Sequence, residues 1–147
     1  MTITSSAFQP NELIPEEYGY HGHNINPPLT FSEVPAEAKS LVLLLEDPDA
    51  PDGVFTHWIL YNMSPATLQI LKGQLPLAAH QATNDFDQHT YAGPSPPHGK
   101  HRYFFKLFAL DTTLKVEPTD KRQQIYDAMK GHVIAQAELI GVFAAAD

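Results

Sequence analysis

The chain has no cysteine among its 147 residues. Disulfides, thiolate zinc sites and a cysteine nucleophile are therefore excluded, and a bound metal would need histidine and carboxylate ligands. Basic residues are scarce: nine Lys and Arg against seventeen Asp and Glu leave a formal net charge of −8. Nucleic-acid binding draws most of its nonspecific affinity from Lys and Arg, so no nucleic-acid partner is expected. Nowhere do about 18 apolar residues run together, and Met1 to Pro15 has neither a basic start nor an apolar stretch of signal-peptide length. No amphipathic anchor is visible, and an acidic surface is repelled by anionic lipid. The expectation is a cytoplasmic protein with no stable membrane insertion. Internal repeats, low-complexity tracts and charge blocks are also missing. Residues 1–147 thus read as a single domain, and a 43% hydrophobic content is enough for a sizeable core.

What the sequence does have is thirteen prolines and a series of short apolar runs broken by Pro, Gly, Asn and Asp, the pattern of a β-rich fold with ordered loops. Leu41 to Glu46 is nearly all aliphatic, which predicts a strand covered on both faces and central in its sheet. His57 to Met63 and Tyr103 to Leu110 are further strands, rich in aromatic and branched residues. Ser64-Pro65 followed by Ala66 to Lys72 and Gly73 predicts a short helix with Ser64 as its cap. A second helix is expected after Asp120, with Gln123 returning the capping bond, Ile125 and Met129 on one face and Gly131 ending it. His132 to Phe143 is ambiguous by periodicity and leans towards strand.

Three stretches can carry chemistry. Asp47-Pro48-Asp49-Ala50-Pro51 follows the aliphatic strand, and its prolines hold Asp47 extended at the strand end, although Asp and Pro are also ordinary turn residues. Phe55-Thr56-His57-Trp58 opens the next strand. Period-two alternation places His57 on the face opposite Trp58, and a lone histidine there is more often structural than functional. Gly93-Pro94-Ser95-Pro96-Pro97-His98-Gly99-Lys100 leads into His101-Arg102-Tyr103, where alternation puts His101 and Tyr103 on one face and Arg102 on the other. The alternative for this stretch is a surface loop with an Arg102 salt bridge.

In this order and with these strands between them, the three stretches resemble the phosphatidylethanolamine-binding protein family, in particular its bacterial branch of Raf-kinase-inhibitor-like proteins. Gly22-His23-Asn24-Ile25-Asn26-Pro27-Pro28-Leu29 is similar to the family's G-x-N-x-S-P-P-L stretch, Asn84-Asp85 precedes the Gly-Pro loop as in the family, and Gly131-His132 to Gly141 is similar to its closing segment. The resemblance covers about residues 8 to 143. It implies a mainly β (α+β) fold with a large central β-sheet, a smaller sheet and short peripheral helices. It also implies a pocket for phosphate-like head groups. By position, Asp47, His57 and His101 match the pocket residues, Tyr103 the aromatic beside them, and Pro96, Pro97 and Gly99 the loop wall. Phe55 stands where many relatives have Trp, and Ser95 where many have Cys. Pro48, Asp49, Pro51 and Arg102 would support the site. A non-proline cis peptide near Gly53-Val54 and a homodimer are further implications of the likeness.

The chemistry expected of such a pocket is binding without catalysis and without a cofactor or metal. An Asp beside an imidazole raises the imidazole pKa, and the cation attracts phosphate or a phosphoethanolamine-like head group. Two alternatives stand beside this reading. One is a kinase or protease inhibitor, or scaffold, acting through a protein partner. The other is a metal- or histidine-dependent phosphoester hydrolase, for which no H-E-x-x-H, G-x-S-x-G or glycine-rich phosphate loop is present.

Overall fold

The computed structural model describes residues 1–76 and 78–146. Three short strands, β1 (Thr2–Thr4), β2 (Leu29–Ser32) and β5 (Gln69–Ile70), form a small antiparallel sheet in the order β1-β2-β5. The large sheet contains β3 (Ser40–Asp47), β4 (Phe55–Met63), β6 (His80–Gln81), β7 (Lys100–Leu110) and β8 (Val133–Ala144) in the order β6-β4-β3-β7-β8. The aliphatic strand β3 is buried along its whole length and sits in the middle, as a strand with no polar face must. Leu41, Leu43 and Leu45 enter one core with Trp58, Tyr103 and Phe105 and with Ile3, Leu29 and Phe31 of the small sheet. Val42 and Leu44 enter a second core with Ile59 and Phe108 and with Ile125 and Met129 of helix α1 (Arg122–Met129). The large sheet is thus covered by the small sheet on one face and by α1 on the other.

Residues 66–72 are not helical. The Ser64 hydroxyl accepts a 3.1 Å bond from the Ala66 N–H, closing a turn, and Gln69–Ile70 then pairs with β2 so that Ile70 is buried. That tertiary burial overrides the local helical signals. Helix α1 forms as expected but with another cap: Gln124, not Gln123, accepts from the Lys121 N–H at 3.0 Å, while Asp120 accepts from the Glu117 N–H in the preceding turn. The His132 to Phe143 segment is strand β8, which pairs with β7 from His101↔Phe143 to Leu110↔Val133. No cis peptide bond occurs among the described residues; the loop after β3 turns instead at Gly53, whose φ of 103° is open to glycine.

One further departure positions the site. Asp47 pairs with Phe55, Glu46 with Thr56 and Leu45 with Trp58, so His57 is an extra residue in β4. This β-bulge breaks the alternation and turns His57 onto the face of Asp47, Trp58 and Tyr103, where simple period-two counting placed it on the other. The Asn84–Ala92 segment holds the bulge. The Thr56 N–H donates to the Asp85 carboxylate at 2.7 Å, and the His57 carbonyl accepts from Asn84 Nδ2 and from the Ala92 N–H.

Candidate functional site

Asp47 continues the inward-facing row of Leu41, Leu43 and Leu45, so the strand that builds the core also delivers a buried carboxylate to its end. Its Oδ1 accepts the Asp49 N–H at 2.8 Å, which ties the side chain to its own proline-flanked loop. Its Oδ2 accepts the Nδ1–H of buried His101 at 2.6 Å. The pairing is repeated on the outside between Asp49, two residues on in the loop after β3, and Arg102, one residue on in β7: Asp49 accepts from the Arg102 N–H, Nε and Nη2 at 2.9, 3.0 and 2.8 Å. The Arg102 guanidinium holds the Asp49 carboxyl down to about 2. The inner pair is shielded by protein and the outer pair faces solvent, as the alternation of β7 requires.

His57 is held differently. Its Nδ1–H donates to the Ala92 carbonyl at 2.8 Å. Burial is the dominant influence on the ring and pushes its pKa below the ordinary histidine value, with the Ala92 carbonyl and Asp47 acting in the other direction. The expectation of an imidazole raised by Asp47 therefore does not apply to His57. Its ring is neutral, and a neutral ring with Nδ1 protonated leaves Nε2 as a bare acceptor. The Tyr103 ring packs edge-on against His57 at 5.4 Å and parallel to His101 at 6.5 Å. The Tyr103 hydroxyl is fully buried and makes no hydrogen bond of good geometry among the described residues, with the Asp47 carboxylate and the Ser95 N–H approaching it as weak, imperfectly placed partners. Burial, followed by the negative charge of Asp47, pushes its pKa up, so it stays a donor.

An aromatic rim borders these groups. Phe55 lies 5.1 Å from the His57 ring and 4.9 Å from Phe86, and Phe86 stacks on Tyr20 at 4.8 Å. The structure therefore brings together Asp47, His57, His101, Tyr103 and Phe55. Pro96 and Pro97 line a neighbouring cavity of about 660 Å³ to which none of those five contributes. Gly99 turns the loop, with φ 62°, and its carbonyl accepts from the Ala145 N–H. Pro48 and Pro51 are exposed and shape the loop that Asp49 and Arg102 clamp. Among the described residues no three His, Asp or Glu side chains gather as a metal-holding group.

Sequence reasoning missed Phe86, Tyr20 and the role of Asn84. Asn84 is fully buried and makes four bonds: its Nδ2 donates to the His57 and Thr90 carbonyls, and its Oδ1 accepts from the Phe86 and Gln88 N–H groups. The Asn-Asp pair was visible as part of a family pattern, but its partners in β4 lie 27 to 29 residues away and no local periodicity points to them.

The family model described as phosphatidylethanolamine-binding protein matches residues 4–144. Similar curated proteins include a UPF0098 protein of Methanothermobacter thermautotrophicus, 44% identical, and one of Chlamydia trachomatis, 45% identical, each aligned over 97% of this chain and 98% of the relative. Among solved structures, a phosphatidylethanolamine-binding protein homologue from Chlamydia trachomatis superposes with a TM-score of 0.93 at 44% identity, covering 99% of this chain and 97% of that one. YBCL of E. coli, described as a member of the mammalian family, superposes with a TM-score of 0.92 at 28% identity, covering 99% and 98%. The relatives include archaeal as well as bacterial proteins, so a purely bacterial branch is too narrow a description. No described helix is long and apolar enough to cross a membrane. In fold and in sequence, over nearly its whole length, this chain belongs to the phosphatidylethanolamine-binding protein family.

Proposed function

We propose that the Asp47, His57, His101 and Tyr103 cluster binds a small phosphate-like anion, free or as a phosphoethanolamine-type head group, and performs no chemistry on it. The observation that carries this reading is the Tyr103 hydroxyl: a buried donor that makes no well-formed hydrogen bond among the described residues, between an aspartate-oriented imidazole and a neutral one. A buried hydroxyl left unpaired costs about 1 to 3 kcal/mol, so a fold that retains one is suited to a ligand that completes it. An anionic oxygen accepts from Tyr103, and a ligand hydroxyl donates to the bare Nε2 of His57. His101, with Nδ1–H fixed on Asp47, offers Nε2 as a further donor once the ring is protonated.

The reading makes binding proton-linked. A singly protonated phosphate suits a site with one acceptor and one or two donors, and a phosphomonoester loses that proton near pH 6. Above that pH the site must supply the proton through an imidazole, so affinity falls by up to about tenfold per pH unit for one linked proton. Titration calorimetry of phosphate and phosphoethanolamine from pH 5.5 to 8.5 tests this. Tighter binding in acid, weakened by both H101A and Y103F, is the expected result. Affinity that is independent of pH, or unchanged in Y103F, sinks the proposal.

A further inference from the structure

The cavity behind the proline loop contains none of Asp47, His57, His101, Tyr103 and Phe55, and it differs from their pocket in what it can offer a ligand. It holds about 660 Å³, the size of a small-molecule site, and much of its wall is hydrocarbon from Leu13, Ile14, Pro96 and Phe143. Three backbone bonds tie its walls together. The Ile14 N–H donates to the Val142 carbonyl at 2.8 Å, the Tyr20 N–H to the Pro94 carbonyl at 3.0 Å, and the Ala145 N–H to the Gly99 carbonyl at 2.7 Å.

This wall is poor in donors. Three of the four residues Pro94 to Pro97 have no N–H. The N–H groups of Ile14, Gly22 and Ala145, which also line the cavity, are spent on the carbonyls of Val142, Gly19 and Gly99. Among the described residues no Lys or Arg lines it, so a ligand meets no fixed cation there. Acceptors, by contrast, are present. Glu16 lines the cavity and makes no ion pair among the described residues, whereas Glu17 beside it pairs with Lys72. Ser95 Oγ and His21 Nε2 bond to each other at 3.3 Å, and the His21 ring packs edge-on against Tyr20 at 5.3 Å. When the Ser95 hydroxyl donates in that bond, its lone pairs stay free to accept.

We infer that this cavity is a second and separate site, for a protonated primary amine with an apolar body, its ammonium on Glu16 and the Ser95 oxygen and its hydrocarbon against Leu13, Ile14, Pro96 and Phe143. An ammonium brings three donors and no acceptor, the complement of a wall that accepts and does not donate. A carboxylate of the same length finds no donor and is repelled by Glu16, and the net charge of −8 acts in the same direction. Because Glu16 is exposed, burial of hydrocarbon supplies most of the affinity and the carboxylate sets the sign. The inference does not depend on anion binding at Tyr103.

Calorimetry with hexylammonium, methylammonium, 1-hexanol and hexanoate tests it at pH 8, where an alkylamine is protonated as the lysine side chain is. Each methylene fully buried strengthens binding about fourfold, so hexylammonium should bind at least about tenfold more tightly than methylammonium even with partial burial. Hexanoate should bind more weakly than either hexylammonium or 1-hexanol. E16Q should weaken hexylammonium about threefold, the effect of one exposed ion pair, and leave 1-hexanol unchanged. A144W fills the hollow from β8 and should abolish hexylammonium binding, with circular dichroism reporting that the variant is folded. Hexanoate or methylammonium binding as tightly as hexylammonium overturns the inference, the latter because surface charge alone would then explain the binding. So does hexylammonium affinity that is unchanged in E16Q or in folded A144W. Where A144W fails to fold, E16Q decides, since Glu16 is exposed and its replacement leaves the core intact.

Discussion

Glu46 and Asp47 are neighbours on β3, both almost wholly buried, and they point to opposite faces of the sheet. Glu46 is fully provided for. Lys106 Nζ reaches one carboxylate oxygen at 2.9 Å, and Arg122 Nε and the Tyr126 hydroxyl reach the other at 2.8 Å each. The Arg122 guanidinium also lies over the Tyr126 ring, 4.6 Å from its centroid. Burial opposes the charge on Glu46, but the two cations and the phenol outweigh it and hold the pKa below 4.5. Asp47 has one histidine and one N–H of its own loop, next to a hydroxyl without a well-formed hydrogen bond and a histidine kept neutral. The difference teaches that burial alone does not mark a functional carboxylate. Glu46 closes its own network, as a buried charge that serves the fold must, whereas Asp47 leaves donors and acceptors open beside it, as the proposed anion site requires.

The sharpest way to break that comparison is to remove each carboxylate. E46A strands Lys106 and Arg122 against a buried wall and unpins α1. Because both cations are about one-third exposed, the loss should be about 2 to 3 kcal/mol, below the 3 to 5 typical of fully buried pairs. D47N keeps an acceptor for the Asp49 N–H, so its cost should stay near 1 kcal/mol. Urea denaturation measures both. Phosphate titration should give the reverse order, with D47N at least tenfold weaker and E46A close to wild type wherever it is folded. Equal effects of the two variants on both readouts would remove the distinction. Next in size is Y126F, which deletes a bond to a charged acceptor and should lower stability by about 1.5 kcal/mol without touching affinity.

The two faces also separate by pH. Glu46 has a depressed pKa, so its stabilisation is complete above the ordinary carboxylate range and is lost as the pH falls through 4.5 and below. His57 is also depressed, because burial disfavours its charged form. Below its ordinary value of 6.5 the unfolded chain therefore binds a proton that the folded chain does not, and stability decreases as the pH is lowered, by at most about 1.4 kcal/mol per unit. Two windows are expected in stability measured from pH 8 to 3: a slope below 6.5 that H57Q flattens, and a steeper limb below 4.5 that E46Q flattens. A single window insensitive to H57Q would mean that the His57 ring is charged in the folded protein.

Much of this was legible beforehand, for physical reasons that differ by region. The central position of β3 follows from six consecutive residues that are almost all aliphatic, whereas the meeting of Asp47 with His101 was implied by the family resemblance and by no local pattern. The helix expected after Ser64 was not legible, because Ile70 gains more by joining the small sheet than its segment gains from local propensity. The orientation of His57 was hidden for another reason. A bulge is a property of two strands in register, and period-two counting along one of them cannot reveal it. The rest of the aromatic rim was out of reach as well, since Tyr20 and Phe86 reach Phe55 from distant loops.

The smallest effects discriminate best. Among the described residues two buried hydroxyls make no well-formed hydrogen bond, Tyr103 on the face of Asp47 and Thr56 on the face of Glu46. Replacing an unpaired buried hydroxyl by an apolar group of the same shape relieves a desolvation penalty, so Y103F and T56V should each leave stability unchanged or raise it by up to about 1 kcal/mol. If openness alone made a site, the two variants would behave alike towards phosphate. They should not, because Thr56 faces the closed Glu46 network whereas Tyr103 faces one bare imidazole nitrogen and one oriented by a carboxylate. Y103F should weaken phosphate about tenfold, the loss of one hydrogen bond to a charged group, and T56V should not change it. If T56V weakens phosphate as much as Y103F, the effect travels through β4 itself, and the division of the sheet into a structural face and a binding face is wrong.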